Sequence, residues 1–72
     1  MVKRDKREER IRENPKNILL EDFEALINNY GYIKEGGKHP QAVIGSHTMS
    51  YKRENPVKSA YVKQLLFFID SV

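Results

Sequence analysis

The stretch Gly36-Gly37-Lys38-His39-Pro40 divides the chain into a helical first half and a second half with the pattern of β-strands. Glycine adopts backbone conformations that other residues avoid, and proline cannot donate a hydrogen bond to a neighbouring strand. The stretch therefore predicts the turn at which a sheet begins. It also places a lysine beside a histidine, the side chain that exchanges protons near neutral pH. The turn is thus a candidate functional site as well.

The segment before this turn has the apolar spacing of an amphipathic helix. Acidic residues in its first turn suit the helix dipole, and Gly31 stands where a C-terminal cap is expected. We expect the helix to begin at Asn17, or as late as Leu20, and to end before Gly31. Its large apolar side chains recur every three or four residues, at Phe23, Leu26, Ile27 and Tyr30.

The segment after the turn predicts three short strands followed by a helix. We expect strands over 32–35, 41–44 and 48–53, and their short connections favour antiparallel pairing. From Lys58 onward a broad apolar stripe predicts the last helix. The predicted architecture is α+β in the order αβββα, with a three-stranded antiparallel sheet and both helices on one face.

The composition restricts the kinds of site that the chain can hold. A chain of 72 residues has room for one domain, and no cysteine is present to form a disulfide. The lack of cysteine fits a reducing cytoplasm. With two histidines and no cysteine, a zinc site is disfavoured, and no apolar run approaches the roughly 18 residues of a membrane helix. We expect no metal, no cofactor and no contact with a membrane.

The net charge of +3 is distributed unevenly along the chain. Residues 1–16 carry +3, residues 17–33 carry −3, and residues 34–63 carry +4. We interpret residues 1–14 as a charged arm, either a frayed helix or a flexible segment, with almost nothing to bury, followed by a domain over 15–72. The basic second half is the footprint expected of a protein that binds a polyanion.

Several short motifs follow one another through the predicted domain. They are Asn14-Pro15-Lys16-Asn17, Glu21-Asp22-Phe23, Tyr30-Gly31-Tyr32, Gly37-Lys38-His39 and Pro56-Val57-Lys58-Ser59-Ala60-Tyr61-Val62-Lys63. In this order and spacing they resemble the HicA-type (YcfA-like) toxins, which are mRNA interferases of bacterial toxin–antitoxin pairs. The chain departs from the usual family pattern at Lys38, where the family has serine, and at Pro40 after the histidine.

The resemblance implies both a fold and an activity. The fold would be αβββα, like that of a double-stranded-RNA-binding domain. The activity would be metal-independent cleavage of mRNA by one catalytic histidine in the cytoplasm, and a HicB-type antitoxin would cover the site.

Two histidines compete for the catalytic role. Gly45-Ser46-His47 matches the family tripeptide literally, whereas Gly37-Lys38-His39 differs from it by one residue. Two strands must fit between the family's histidine and the last helix, and only His39 leaves room for them. In a regular strand, His47 would also share the core-facing side of Met49 and Tyr51. We favour His39 as the catalytic residue, with His47 as its rival.

Glycine amides and lysines near the favoured histidine are the candidates for binding RNA. We expect Gly36, Gly37 and Lys38 to stabilise charge on the reacting phosphate. Neighbouring phosphates would meet Lys52, Arg53, Lys58 and Lys63. One alternative is a non-catalytic double-stranded-RNA-binding module of the same fold, which needs basic residues but no titrating histidine. Another is a purely protein-binding function through the arm and the apolar stretch 65–69.

Overall fold

The computed structural model describes residues 6–71, which form three helices and a three-stranded antiparallel sheet. The predicted α+β class and the antiparallel sheet are confirmed, and the N-terminal arm contains a helix, one of the two forms expected for it. The elements in chain order are α1 (Lys6–Glu13), α2 (Leu20–Tyr30), β1 (Tyr32–Lys34), β2 (Gln41–Ile44), β3 (His47–Ser50) and α3 (Ser59–Asp70).

The sheet has the strand order β1-β2-β3, and one of its two faces packs against the hydrophobic core. The register sets Ile33 opposite Ala42 and Ala42 opposite Met49, so these three side chains share that face. Helices α2 and α3 pack against the same strands. The other face carries the alternate residues, and we call it the open face: Tyr32, Lys34, Gln41, Val43, Thr48, Ser50 and, beyond β3, Lys52.

Helix α2 supplies the centre of the core through its apolar stripe. Phe23, Leu26 and Ile27 are buried, and the ring of Phe23 meets that of Tyr51 edge-on at 5.0 Å between centroids. Full burial of one such side chain contributes roughly 1.5–3 kcal/mol. The stripe predicted from the sequence is therefore the surface that fixes α2 on the sheet.

Helix α2 begins at Leu20, the later of the two starts that the sequence allows. Asn17 takes a positive φ of 59°, and the next residue, Ile18, forms a β-bridge with Val57. The carbonyl of Ile18 accepts the N–H of Val57 at 2.9 Å. The N–H of Leu20 donates to Oδ1 of Asn55 at 2.7 Å, which satisfies one of the unpaired amides of the first turn.

Gly31 ends α2 for a reason other than the left-handed cap that its position suggests. Its φ is −162°, which is extended backbone that any residue adopts. A Cβ atom at this position would lie 1.9 Å from the carbonyl oxygen of Val43. Glycine is therefore needed because β2 passes too close for a side chain.

Helix α3 directs most of its apolar residues inward. Leu65, Phe68 and Ile69 belong to the buried core. The expected protein-binding stretch 65–69 is therefore largely internal. Phe67 is its exception, with 65% of its surface exposed. None of the helices formed by residues 6–71 has the length and apolar character needed to cross a membrane.

The N-terminal segment differs from the sequence-based expectation of an arm with almost nothing to bury. Residues 6–13 form α1, which packs against α2, and Ile11 is only 2% exposed. Residues 1–5 lie outside the described part of the chain. A single large apolar residue, Ile11, does not form the apolar stripe that predicts a packed helix. Its side chain is nevertheless part of the buried core.

Polar contacts complete the attachment of α1 to the other two helices. Glu8 is 1% exposed and accepts hydrogen bonds from the Tyr30 hydroxyl at 2.6 Å and from Nε of Arg12 at 2.9 Å. The other nitrogens of Arg12 donate to Asp70 at 2.8 and 3.1 Å, and these bonds raise the pKa of Arg12 above its ordinary value. A buried carboxylate requires such partners, so α1 is held by side chains that are distant in sequence.

Candidate functional site

The Gly-Gly-Lys-His stretch is the tip of the hairpin between β1 and β2. The last ladder pair is Lys34 with Gln41, and the chain turns between them. Gly36 and Gly37 have φ values of 118° and 83°, and nothing lies within 4 Å of a Cβ built on either one. The glycines are therefore required by backbone conformation, not by crowding.

The hairpin tip is joined to the neighbouring strand through Pro40. This residue is buried, and its carbonyl accepts the N–H of Tyr51 at 3.1 Å. The pairing of β2 with β3 thereby continues one residue beyond the strands. His39 precedes Pro40 and Lys52 follows Tyr51, so these two residues flank the Pro40–Tyr51 hydrogen bond. A proline without an N–H still fits here because the ladder uses its carbonyl.

His39 is exposed in the bend that precedes β2, while the neighbouring Pro40 is buried. Over residues 6–71, neither His39 nor Lys38 has a hydrogen bond or an ion pair. The imidazole is therefore accessible to a ligand from solvent.

His47 has a different environment. It pairs with Ile44 on the core face, is half-buried, and stacks on Phe68 with 4.7 Å between ring centroids and 13° between ring planes. The prediction that His47 points toward the core is confirmed. The strand from Pro40 to Ile44 spans roughly 13 Å at about 3.3 Å per residue, so the two histidines lie at opposite ends of the sheet.

Arg53 holds the hairpin tip from the helix side. Its Nε donates to Glu24 of α2 at 2.8 Å, and its two terminal nitrogens donate to Glu35 at 3.1 and 2.6 Å. These bonds raise the pKa of Arg53, and the same contact lowers the pKa of Glu35. The guanidinium of Arg53, which the sequence predicts to bind a phosphate, is therefore already bonded to two carboxylates.

Tyr51 connects the ion pairs of Arg53 with Glu24 and Glu35 to the core. Burial and the neighbouring carboxylate of Glu24, to which its hydroxyl donates, raise the pKa of Tyr51 well above its ordinary value. The phenol therefore stays protonated and acts as a donor. The contacts of Arg53 and Tyr51 together connect α2, β3 and the start of the hairpin tip.

The remaining predicted cations are exposed but are not all adjacent. Lys52 follows β3 beside His39, and Lys58 occupies the N-cap position of α3. Lys63 lies about 7 Å further along the axis of α3, at about 1.5 Å per residue. Lys34, which sequence analysis did not select, shares the open face with Lys52. In β1, Lys34 alternates with the half-buried Ile33. This alternation is the sequence signal that places Lys34 on the face away from the core.

No group of three histidine or carboxylate side chains within residues 6–71 is arranged to hold a metal ion. A surface cavity near the start of α2 is lined by Leu19, Leu20, Glu21, Glu24 and Asn55. Its two carboxylates repel phosphate, and it contains none of the predicted site residues. The accessible groups at the hairpin tip are therefore the imidazole of His39, the amine of Lys38 and the backbone amides of Gly36 and Gly37.

No family model, curated protein or solved structure matches the chain. Its likeness to the HicA-type toxins consists of the motifs quoted above and their order.

Proposed function

We propose that the chain is an mRNA-cleaving endoribonuclease of the HicA type, the toxin of a type II toxin–antitoxin pair. The observation that supports this most is the contrast between the two histidines. His39 is exposed next to a glycine turn, whereas the ring of His47 is half-buried and stacks on Phe68. The order of β1 to β3 followed by α3, with α2 in front, also agrees with a fold like that of double-stranded-RNA-binding domains.

In the proposed reaction, His39 acts as the general base. It accepts the proton of a ribose 2′-hydroxyl, whose oxygen attacks the adjacent phosphorus while the bond to the 5′-oxygen breaks. The leaving oxygen takes a proton from water or from Lys38. His39 serves instead as the acid if water removes the first proton. One such group accelerates a reaction by about 10²- to 10⁴-fold, which suits a toxin that cuts slowly.

The groups around His39 would stabilise the negative charge of the substrate. Lys38 and the amides of Gly36 and Gly37 lie at the hairpin tip, where they can approach the pentacoordinate phosphate. Lys52, Lys58 and Lys63 would contact phosphates on either side, so binding would weaken as salt increases. Arg53 has a supporting role in this proposal, because Glu24 and Glu35 already engage its guanidinium.

A HicB-type antitoxin is the proposed protein partner, and the cytoplasm, where mRNA is found, is the proposed location. An acidic segment of such a partner would complement Lys38 and Lys52, which have no carboxylate partner over residues 6–71. By covering the hairpin tip, it would exclude RNA from His39.

The proposal is tested by expressing the chain and its histidine variants in bacteria. The native chain and His47→Ala should arrest growth and fragment mRNA, and His39→Ala should do neither at equal protein levels. The assignment of His39 is overturned if His47→Ala alone abolishes both effects.

If the chain is instead a non-catalytic double-stranded-RNA-binding module, the same strains and the purified protein should give different results. It predicts intact mRNA with the native chain, together with duplex-RNA binding that survives replacement of both histidines.

A further inference from the structure

Within residues 6–71, no helix covers the open face, because α2 and α3 pack on the other side of the sheet. Tyr32 on this face is 57% exposed, at one edge of the sheet. The register places Val43 and then Thr48 beside it in one row. A large aromatic ring left in water next to a half-buried valine is a flat surface on which another ring can stack.

The charged residues of the open face are of one sign. Lys34 and Lys52 are exposed on the open face, and none of its positions is acidic. Glu35, which follows Lys34, and Glu24 of α2 are bonded to Arg53. The open face therefore complements a polyanion that also offers aromatic rings.

We propose that the open face binds a single-stranded segment of the RNA, with one unpaired base stacked on Tyr32 and phosphates on Lys34 and Lys52. This inference rests on the proposed function, because it takes the cleaved RNA as its ligand. Single-stranded RNA exposes its bases to aromatic side chains, whereas bases in a duplex are stacked on each other. Moreover, α2 has an acidic first turn and no cation, so this helix offers duplex phosphates little attraction.

The position of Tyr32 also indicates which part of the RNA it would contact. Tyr32 and Val43 form the row at one end of the pairing, and His39 follows the other end. The rows between them span roughly 13 Å at about 3.3 Å per residue. Lys34 lies in the intervening row with Gln41 and Ser50. The stacked base would therefore belong to a nucleotide near the cleaved bond but not next to it.

The test measures equilibrium binding of a labelled single-stranded RNA of mixed sequence and of the matching duplex. The parent is His39→Ala, which keeps the RNA intact, and Tyr32→Ala, Tyr32→Phe and Phe67→Ala are added to it one at a time. Phe67 is the matched control because it is another exposed aromatic residue, on α3. Tyr32→Ala should weaken single-strand binding by about 5- to 140-fold, the range for loss of one base stack. Tyr32→Phe and Phe67→Ala should stay close to the parent.

Several outcomes would overturn the inference. These are equal effects of Tyr32→Ala and Phe67→Ala, tighter binding of the duplex than of the single strand, or no binding of RNA by the parent. If the native chain cleaves RNA while Tyr32→Ala binds normally, the inference fails and the proposed function stands. If single-strand binding depends on Tyr32 and the native chain does not cleave, the inference stands and the nuclease proposal fails.

Discussion

The attachment of α1 to the core makes a quantitative prediction for Ile11→Ala. Ile11 is 2% exposed, so the change removes buried carbons worth about 0.8 kcal/mol each, and the cavity left behind adds to that loss. Buried isoleucines cost about 2–5 kcal/mol when replaced by alanine, and α1 lies at the edge of the core, where partial collapse is easy. We expect a loss of about 2–3 kcal/mol in the free energy of unfolding.

Urea unfolding followed by circular dichroism measures this loss. For a domain of 72 residues the total is roughly 4–11 kcal/mol, so the change is a large fraction of it. With a slope of about 1 kcal/mol per molar urea, the midpoint should fall by about 2–3 M. Arg10→Ala, on the exposed side of α1, is the matched control and should shift the midpoint by less than about 0.5 M. Equal, small shifts for both variants would show that residues 6–13 behave as a loose arm.

Three further predictions concern residues in loops and turns, namely Asn55, Gly37 and Glu35. Asn55→Ala removes the acceptor for the N–H of Leu20 and should lower the free energy of unfolding by about 1 kcal/mol in the same urea assay. Gly37→Ala forces a side chain into a φ of 83° and should cost about 1–2 kcal/mol, and an unchanged midpoint would contradict that conformation. Because Arg53 lowers the pKa of Glu35 from its ordinary 4.5, their contact stabilises the fold above that pH and is lost as the pH falls through the lowered value. Acid titration of Glu35→Gln should therefore show a smaller loss of stability below about pH 4.5 than the native chain shows.

Local patterns predicted much of the fold. The stripe of α2 and the alternation of β3 are periodic, and periodicity reports which residues face the core. The side of the strand that His47 occupies was predictable for the same reason. What local patterns could not give was the packing of α1, because a single isoleucine makes no stripe. One of the two partners of the buried Glu8 carboxylate, the hydroxyl of Tyr30, lies on another helix, 22 residues away in the sequence.

The candidate site was predictable at the hairpin tip and less so around it. Consecutive glycines and a proline identified the turn, and strand counting placed His39 there. Arg53 looked like a free cation in the sequence, since its carboxylate partners Glu24 and Glu35 are 29 and 18 residues away. The open face required the strand register, because Tyr32 and Lys34 join Lys52 only when the pairing is known.

The central claim is that His39 cleaves RNA, and the rate of cleavage by purified protein tests it most directly. The substrate is a single-stranded RNA in buffer with a metal chelator, and the proteins are the native chain, His39→Ala and His47→Ala, each first shown to be folded. Loss of one general acid–base group predicts a rate about 10²- to 10⁴-fold lower for His39→Ala, with His47→Ala close to native. A native rate for His39→Ala, or a loss confined to His47→Ala, would contradict the claim.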